Sequence, residues 1–199
     1  MTKTKRDPFL TSTPISTFFN VALNDVQSGA KDDISFWIPV IPKDSPYYYF
    51  GYYATNSYNA QPEGSLLLYR AHDEDPLEPC FKPPTDFAMV WECTGNGKSC
   101  YLGIYTPVAP KGYVAIGSVA VPDFRNPPRV DQFPNLMCVK SELATQISVN
   151  TTDNFIWDDH GSGTKYSATV FQLPNSLCCY AVTGYPSAAQ VYDIVPPQS

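Results

Sequence analysis

Short apolar runs rich in Val, Ile, Tyr and Phe recur along the chain, bounded by Gly, Pro, Asn and Asp. Runs of this kind are typical of β-strands. Stretches with the 3.6-residue period of an amphipathic helix are missing, and residues 141–144 offer at most one helical turn. The pattern predicts an all-β protein. The twelve predicted strands are 18–23, 34–40, 47–54, 66–70, 87–92, 100–106, 113–121, 135–140, 154–158, 166–172, 179–183 and 190–194.

The same order of features occurs three times along the chain. Two sets of glycines mark the period: Gly29, Gly97 and Gly163 lie 68 and 66 residues apart, and Gly51, Gly117 and Gly184 lie 66 and 67 apart. A near-constant period indicates repeated units that bury their apolar faces against one another. We therefore predict a single domain over residues 1–199, built from three internal copies. The copies are placed at about residues 18–70, 86–140 and 153–195.

The first two strands of each copy are predicted to form a hairpin. The turns fall at residues 26–29, 94–97 and 160–163, and each holds a glycine that can adopt the positive φ of a tight turn. Four strands per copy predict a β-prism-like body of about twelve strands around a pseudo-threefold axis. A β-trefoil or repeated β-sandwiches are the alternatives. Because closed β-bodies remove free strand edges, residues 14–19 are expected to pair with residues 190–194.

Charge and hydropathy narrow the class of partner and the location. The 199-residue chain carries a net charge of -6 and no basic stripe, which argues against a nucleic acid or an anionic membrane as partner. No apolar run approaches the ~20 residues of a transmembrane segment. The N-terminal residues show no signal-peptide pattern. We expect a cytoplasmic protein, or one released without a classical signal peptide.

The six cysteines and two histidines predict neither a metal site nor a cofactor. Cys93 and Cys100 flank a predicted turn and could face each other across the hairpin, but reduced thiols are the favoured state in a cytosolic protein. There is no Cys-x-x-Cys pair, and His72 and His160 lie far apart, so a structural zinc site is not expected.

Three segments resemble elements of the vacuolar-protein-sorting-62-like family. They are residues 155–163 (FIWDDHGSG, like W-x-D-x-G-S-G), 104–117 (IYTPVAPKGYVAIG, like W-x-P-x-x-P-x-G-Y-x-x-L-G) and 138–140 (CVK, like C-V-[RK]). The chain has Tyr105 and Phe171 where the family usually has Trp. Related repeats occur in the adaptor-binding region of vacuolar-sorting-13-type lipid-transfer proteins. The resemblance implies an all-β fold and a family without well-established catalysis.

Acidic and aromatic residues near the hairpins are the candidate ligand-binding groups. Asp25, Glu92 and Asp158 lie 67 and 66 residues apart, so three equivalent carboxylates could bind sugar hydroxyls. The alternative is that each carboxylate caps its own turn. The third loop is the richest in polar groups, and a calcium ion bound by Asp158 and Asp159 is a further alternative. The candidates are Asp25, Glu92, Trp157, Asp158, Asp159 and His160.

No sequence pattern of an enzyme is present. A Gly-x-Ser-x-Gly elbow, a phosphate-binding glycine loop and a His-Glu-x-x-His helix are all missing, so we expect no catalysis. The tyrosine-rich run 47–53 suits sugar stacking, protein contact or core packing. We expect a lectin-like protein that binds a glycan or a protein surface. A defence or toxin-like protein that docks on cells and a trafficking adaptor-binding module are the alternatives, and the oligomeric state, including a homo-oligomer, is left open.

Overall fold

The computed structural model describes residues 8–18, 23–58, 62, 64–72, 75–94 and 99–196. Strands dominate these residues, and the all-β prediction is confirmed. Two single-turn 3₁₀ helices, Val130–Gln132 and Ser141–Leu143, accompany them, the second where one helical turn was predicted. No helix in the described ranges is both long enough and apolar enough to cross a membrane.

The strands fall into three units with the same order. Unit 1 contains β1 (Phe9–Ile15), β2 (Leu23–Asn24), β3 (Ser35–Trp37), β4 (Tyr53–Thr55) and β5 (Leu66–His72). Unit 2 contains β6 (Phe81–Lys82), β7 (Asp86–Glu92), β8 (Gly103–Val108), β9 (Tyr113–Val114), β10 (Val119–Val121) and β11 (Cys138–Lys140). Unit 3 contains β12 (Ala144–Asn150), β13 (Phe155–Asp158), β14 (Ala168–Gln172), β15 (Cys179–Thr183) and β16 (Ala188–Ile194).

Strand pairing repeats from unit to unit. The middle strands form three antiparallel sheets with the orders β2-β3-β4, β7-β8-β10 and β13-β14-β15. In every unit the first strand pairs with the last, as β1–β5, β6–β11 and β12–β16. Units 1 and 3 therefore have one strand more than predicted. Unit 2 has two more, namely β6 and the division of the predicted strand 113–121 into β9 and β10. Within the described residues the sheets stay open and no barrel closes, in contrast to the trefoil alternative.

The predicted pairing of residues 14–19 with residues 190–194 is wrong. Pro14 and Ile15 belong to β1, which pairs with β5 of its own unit through Leu67 and Leu66. The C-terminal strand β16 pairs with β12 instead. In each unit an additional strand before the hairpin pairs with the last strand of the same unit. Residue 19, and most of the predicted strand 18–23, lie outside the described residues.

A closed triangle of backbone hydrogen bonds marks the pseudo-threefold axis. The Tyr52 N–H donates to the Ser118 carbonyl (2.9 Å), the Ser118 N–H to Cys179 (2.8 Å) and the Cys179 N–H to Tyr52 (2.8 Å). One residue comes from each unit, and all three are buried. Such a ring requires that the three units place equivalent backbone N–H and carbonyl groups around one point. Cyclic pairing of the three units therefore defines the centre of the molecule.

Two of the three glycines predicted to be equivalent do meet at this axis. A Cβ on Gly51 would lie 2.7 Å from the Gly117 Cα, so only glycine allows the two backbones to approach this closely. The third position is Cys178, because it precedes Cys179 in the triangle as Gly51 precedes Tyr52. The expected equivalence of Gly184 is wrong: this residue lies in a turn with φ +81° and nothing within 4 Å of a Cβ.

The aromatic residues fill the interior. Trp91 and Trp157, both fully buried, pack edge to face with ring centroids 5.2 Å apart. The tyrosine-rich run also belongs to the core, since Tyr49, Phe50 and Tyr52 are buried and the other tyrosines of the run are half-buried. Of the explanations considered for that run, core packing is the one the structure supports.

Candidate functional site

Buried aspartates organise the hairpin ends of units 1 and 3 in the same way. Asp25 accepts a hydrogen bond from the Ser28 hydroxyl (2.8 Å), three residues on, and from the Ile34 amide (3.0 Å), nine residues on. Asp159 accepts from Ser162 (2.9 Å) and from the Ala168 amide (3.0 Å) at the same offsets. Both aspartates are buried. Each carboxylate therefore fixes the turn that follows it.

A tyrosine that follows the third strand of the sheet completes each aspartate site. The Tyr58 hydroxyl donates to Asp25 Oδ1 (2.7 Å), and Tyr185 hydrogen bonds Asp159. The strand pairing makes the two tyrosines equivalent. Ser35, ten residues after Asp25, pairs with Thr55, and Tyr58 lies three residues after Thr55. Likewise Thr169, ten residues after Asp159, pairs with Val182, and Tyr185 lies three residues after Val182. The carboxylate and the tyrosine thus join three strands of one sheet at its end.

Unit 2 replaces this carboxylate with a disulfide. Cys93 occupies the aspartate position, because its N–H donates to the carbonyl nine residues on, that of Leu102 (2.9 Å), as Asp25 and Asp159 donate at the same offset. Cys93 is bonded to Cys100, so the reduced thiols expected for this pair are wrong. Phe124 stands where the other units have tyrosine. In unit 2 a covalent link therefore replaces the carboxylate, and phenylalanine lacks the hydroxyl group that donates to the carboxylate in the other units.

In the predicted triplet Asp25, Glu92 and Asp158, the last two residues therefore each lie one position before the residue that is equivalent to Asp25. The equivalent residues Asp25, Cys93 and Asp159 lie 68 and 66 apart, the same spacing as Gly29, Gly97 and Gly163. That agreement could have shown the register from the sequence, as could the aspartate of the W-x-D-x-G-S-G element, which falls on Asp159. Whether the three glycines superpose stays a prediction, since Gly97 lies outside the described residues.

The two buried aspartates differ in their electrostatics. Burial raises the pKa of Asp25, although hydrogen bonds from Tyr58 and Ile34 act against it. Burial also acts to raise the pKa of Asp159, but hydrogen bonds from Ala168, Thr164, Tyr185 and Ser162 outweigh it and lower the pKa below its ordinary value. Asp159 is therefore the better stabilised carboxylate of the two.

Tryptophans two residues before these positions connect neighbouring units. The Trp91 indole donates to Asp159 Oδ2 (3.0 Å) and to the Thr164 hydroxyl (3.1 Å), which links unit 2 to unit 3. The Trp157 indole donates to the Asp32 carbonyl (2.9 Å) and links unit 3 to unit 1. The equivalent residue of unit 1 is Leu23, which is half-buried. The contact between units 1 and 2 therefore lacks the indole that the other two junctions have.

Three of the six candidate residues are accessible to solvent. Asp25, Trp157 and Asp159 are buried within the protein, whereas Glu92 and Asp158 are partly exposed and His160 is exposed. Asp158 Oδ1 lies 2.7 Å from His160 Nδ1, and the His160 ring stacks on Tyr185, with centroids 3.6 Å apart. Asp158 and Asp159 thus point to different surroundings, which removes the basis of the calcium alternative. No group of three or more metal-ligating side chains occurs in the described part of the chain.

Two grooves lie at equivalent places between neighbouring hairpins. The acidic groove, about 270 Å³, separates units 3 and 1 and is lined by Lys31, Asp32, Asp33, Asn56, Phe155 and Ile156. The apolar groove, about 330 Å³, separates units 1 and 2 and is lined by Leu23, Asn24, Val26, Ser99, Cys100, Tyr101, Leu102 and Pro122. By register, Asp32, Asp33 and Asn56 correspond to Cys100, Tyr101 and Pro122. The repeat therefore forms an equivalent groove at two of the junctions between units, and the two grooves differ in the chemistry of their lining residues.

Comparison with known families identifies the fold family. The family model described as vacuolar protein sorting-associated protein 62, Vps62, matches residues 10–182. The chain belongs to the Vps62 family. Its fold is similar to that of GNIP1Aa from Chromobacterium piscinae, with a TM-score of 0.73 and 24% identity over 89% of this chain. The chain spans 33% of GNIP1Aa, and this likeness concerns the fold alone. No curated protein sequence matches the chain.

The segments that resemble Vps62 elements have structural roles in this member. Within residues 155–163, Trp157, Asp159 and Ser162 are buried and hold the hairpin. In the second segment, the Tyr113 hydroxyl donates to the Pro79 carbonyl (2.6 Å) and Gly117 lies at the axis. These residues account for the fold of a Vps62 protein.

Proposed function

We propose that this Vps62-family chain is a non-catalytic recognition protein that binds a glycan in the acidic groove. The observation that carries the proposal is the composition of that groove. The exposed residues Asp32, Asp33 and Asn56 lie beside Phe155, which is 38% exposed. Carboxylates form strong hydrogen bonds with hydroxyl groups, and an aromatic ring packs against the apolar face of a sugar.

The walls of the acidic groove are held in place by contacts between units 3 and 1. Beneath Asp32, its carbonyl accepts the Trp157 indole N–H, and the neighbouring Lys31 N–H donates to the His160 carbonyl (2.8 Å). Asp33 shares the Tyr58 hydroxyl with Asp25. A site fixed before the ligand arrives loses less conformational entropy on binding, which favours affinity.

A protein-binding role is the second candidate, and the two-stranded ribbons favour it. β1–β5 and β12–β16 each consist of two strands in the described residues, so each has an unpaired edge that an extended peptide could join. A trafficking adaptor-binding module of the vacuolar-sorting-13 type would use such an edge. A defence or toxin-like protein would use the acidic groove to dock on cells. A cytoplasmic location, release without a classical signal peptide and a homo-oligomer stay predictions.

A glycan array with the purified chain, followed by titration of the best glycan, tests the proposal. Asp33→Asn and Phe155→Ala are expected to weaken binding about five- to a hundredfold, because each removes a direct contact. Glu142→Gln, which changes an exposed carboxylate at the end of unit 2, is the matched control and should bind like the wild type. If no glycan binds, or if the bound glycan is indifferent to both variants, the proposal is wrong.

A further inference from the structure

We propose that two copies of this chain associate through the outer edge of β12. The β12–β16 ribbons of the two copies would then form one continuous antiparallel sheet across a two-fold axis. Two features of β12 support this dimer: its edge is unprotected, and its sequence is complementary to itself. The dimer does not depend on glycan binding, because β12 lines neither groove.

The outer edge of β12 carries backbone groups that are free to pair. In an antiparallel pair, alternate residues direct their N–H and carbonyl groups toward the partner strand and the others direct them away. The Val195 N–H donates to the Leu143 carbonyl (3.2 Å), so the odd-numbered residues along β12 point toward β16. Gln146 and Ser148 therefore point outward. Both are exposed, and within the described residues no strand pairs with that edge.

The first strands of the other two units are protected against pairing of this kind. In β1 the Leu67 partner, Pro14, has no N–H to donate, and it faces the outer edge because the Leu67 N–H points away from β1 to the Ser176 carbonyl. β6 is only two residues long and includes Lys82. β12 has seven residues, no proline, no charge and no shift in register. Short length, proline and charge are the features that usually prevent strand edges from pairing.

The sequence of β12 is symmetric about Ile147. Residues 145–149 (TQISV) alternate β-branched and polar side chains in either direction. In a two-fold antiparallel pair centred on Ile147, this residue faces Ile147 of the second copy, and Gln146 faces Ser148. Thr145 then faces Val149. β-Branched residues pack well across strands, and the two Gln146–Ser148 pairs would supply about four backbone hydrogen bonds.

The free part of the edge coincides with this symmetric segment. At one end the Ala144 N–H already donates to the Ser141 carbonyl. At the other end the Asn150 N–H donates to the Asn154 side chain (3.2 Å), and the Asn150 carbonyl accepts the Asn154 N–H (3.0 Å). The segment between them is uncharged, so two chains that each carry a net charge of -6 meet there without like charges in opposition. A second copy of this chain is therefore the partner that the edge favours.

Sedimentation velocity of the full chain tests the inference. Between about 1 μM and 1 mM the wild type should change from monomer to dimer. Ser148→Pro removes an outward N–H and leaves the hydrogen bonds between β12 and β16 in place, so it should weaken the dimer about tenfold or more. Ser148→Ala keeps that N–H and should dimerise like the wild type. A monomer at every concentration, or a dimer that Ser148→Pro leaves unchanged, would overturn the inference.

Disulfide trapping keeps the test decisive if Ser148→Pro does not fold. Residues that face each other in a non-hydrogen-bonded pair have Cα atoms about 4.5 Å apart, within the range of a disulfide. Ile147→Cys should therefore form a covalent dimer under mild oxidation. Thr145→Cys is the matched control and should remain monomeric on a non-reducing gel, because it faces Val149 and not its own copy. Equal cross-linking of both variants, or of neither, would contradict pairing centred on Ile147.

Discussion

At the residue scale, Asp25 and Asp159 share most of their kinds of hydrogen-bond partner but differ in the direction of their pKa shift. Asp25 and Asp159 accept hydrogen bonds at the same offsets, but Asp159 also receives the Trp91 indole N–H and the Thr164 hydroxyl. Burial acts to raise the pKa of both aspartates. At Asp159 the hydrogen bonds, that of Thr164 among them, outweigh burial and lower the pKa, whereas at Asp25 they do not and the neighbouring Asp33 raises the pKa further. Each additional donor favours the ionised form of a buried acid.

The two aspartates should affect the pH dependence of stability in opposite directions. The lowered pKa of Asp159 contributes stability above the ordinary pKa of 3.8, and this contribution is lost as the pH falls below it. The raised pKa of Asp25 contributes stability at low pH, and this contribution is lost as the pH rises above 3.8. In urea unfolding at several pH values, the loss of stability in Asp159→Asn should shrink toward low pH, and that in Asp25→Asn should shrink toward neutral pH. Parallel curves for the two variants would contradict this.

At the element scale, two kinds of bond close the three hairpin ends. Units 1 and 3 use a carboxylate, and unit 2 uses the Cys93–Cys100 disulfide. The indoles of Trp91 and Trp157 then attach two of the hairpins to the next unit. The stability of the hairpin ends is therefore divided between local closure and contacts between units.

Removal of the disulfide should lower the free energy of unfolding by about 2–3 kcal/mol, because a short loop is no longer constrained in the unfolded chain. The variant is Cys93→Ser/Cys100→Ser, and the measurement is urea unfolding with and without reductant. Reductant should destabilise the wild type by the same amount and leave the variant unchanged. Equal stability of the wild type in both conditions would show that the bond does not contribute.

Substitution of Trp91 separates its hydrogen bonds from its packing. Trp91→Phe keeps most of the buried ring area but removes the N–H shared by Asp159 and Thr164, for an expected loss of about 1–2 kcal/mol. Trp91→Leu also leaves a cavity and should lose about 3 kcal/mol or more. Thermal or urea unfolding measures both. If Trp91→Phe matches the wild type, the indole N–H does not link units 2 and 3.

Sequence patterns predicted the strands that carry apolar runs and missed β12, a strand in which polar residues dominate. β3, β8 and β14 combine apolar runs with buried side chains, and the patterns found all three. β12 was missed because most of its side chains are at least partly exposed and polar residues dominate it. The grooves could not be predicted, since the acidic one brings Asp32 next to Phe155 across two units. Such contacts depend on how the units pack, which a repeat period does not specify.

At the scale of the whole molecule, the backbone triangle of Tyr52, Ser118 and Cys179 holds the three units together. The third unit reaches this axis sooner after its hairpin than the other two, so its axial residue is Cys178 and not Gly184. Because Gly51, Gly117 and Gly184 are almost evenly spaced, the sequence did not reveal that the third unit is shorter between its hairpin and the axis. The approach of the units is consequently closest where Gly117 lies against Gly51 and Cys178.

Gly117→Ala should therefore destabilise the whole fold. Its Cβ would lie 2.6 Å from Cys178 Sγ and 2.9 Å from the Gly51 Cα, so the units must separate, for an expected loss of about 3 kcal/mol. Gly184→Ala is the control: it has open space around the Cβ and loses only about 1 kcal/mol through its positive φ. Urea unfolding ranks the two variants. The reverse order would contradict the placement of the axis.

The position of a bound glycan on the molecule tests the central claim most directly. Amide NMR shifts recorded during titration with the best glycan from the array locate the contact residue by residue. The account predicts saturable shifts confined to the acidic groove, at Lys31, Asp32, Asp33, Asn56 and Phe155. Shifts centred on Asp158, His160 and Tyr185, with the groove unaffected, would place recognition at the third hairpin tip and contradict the account.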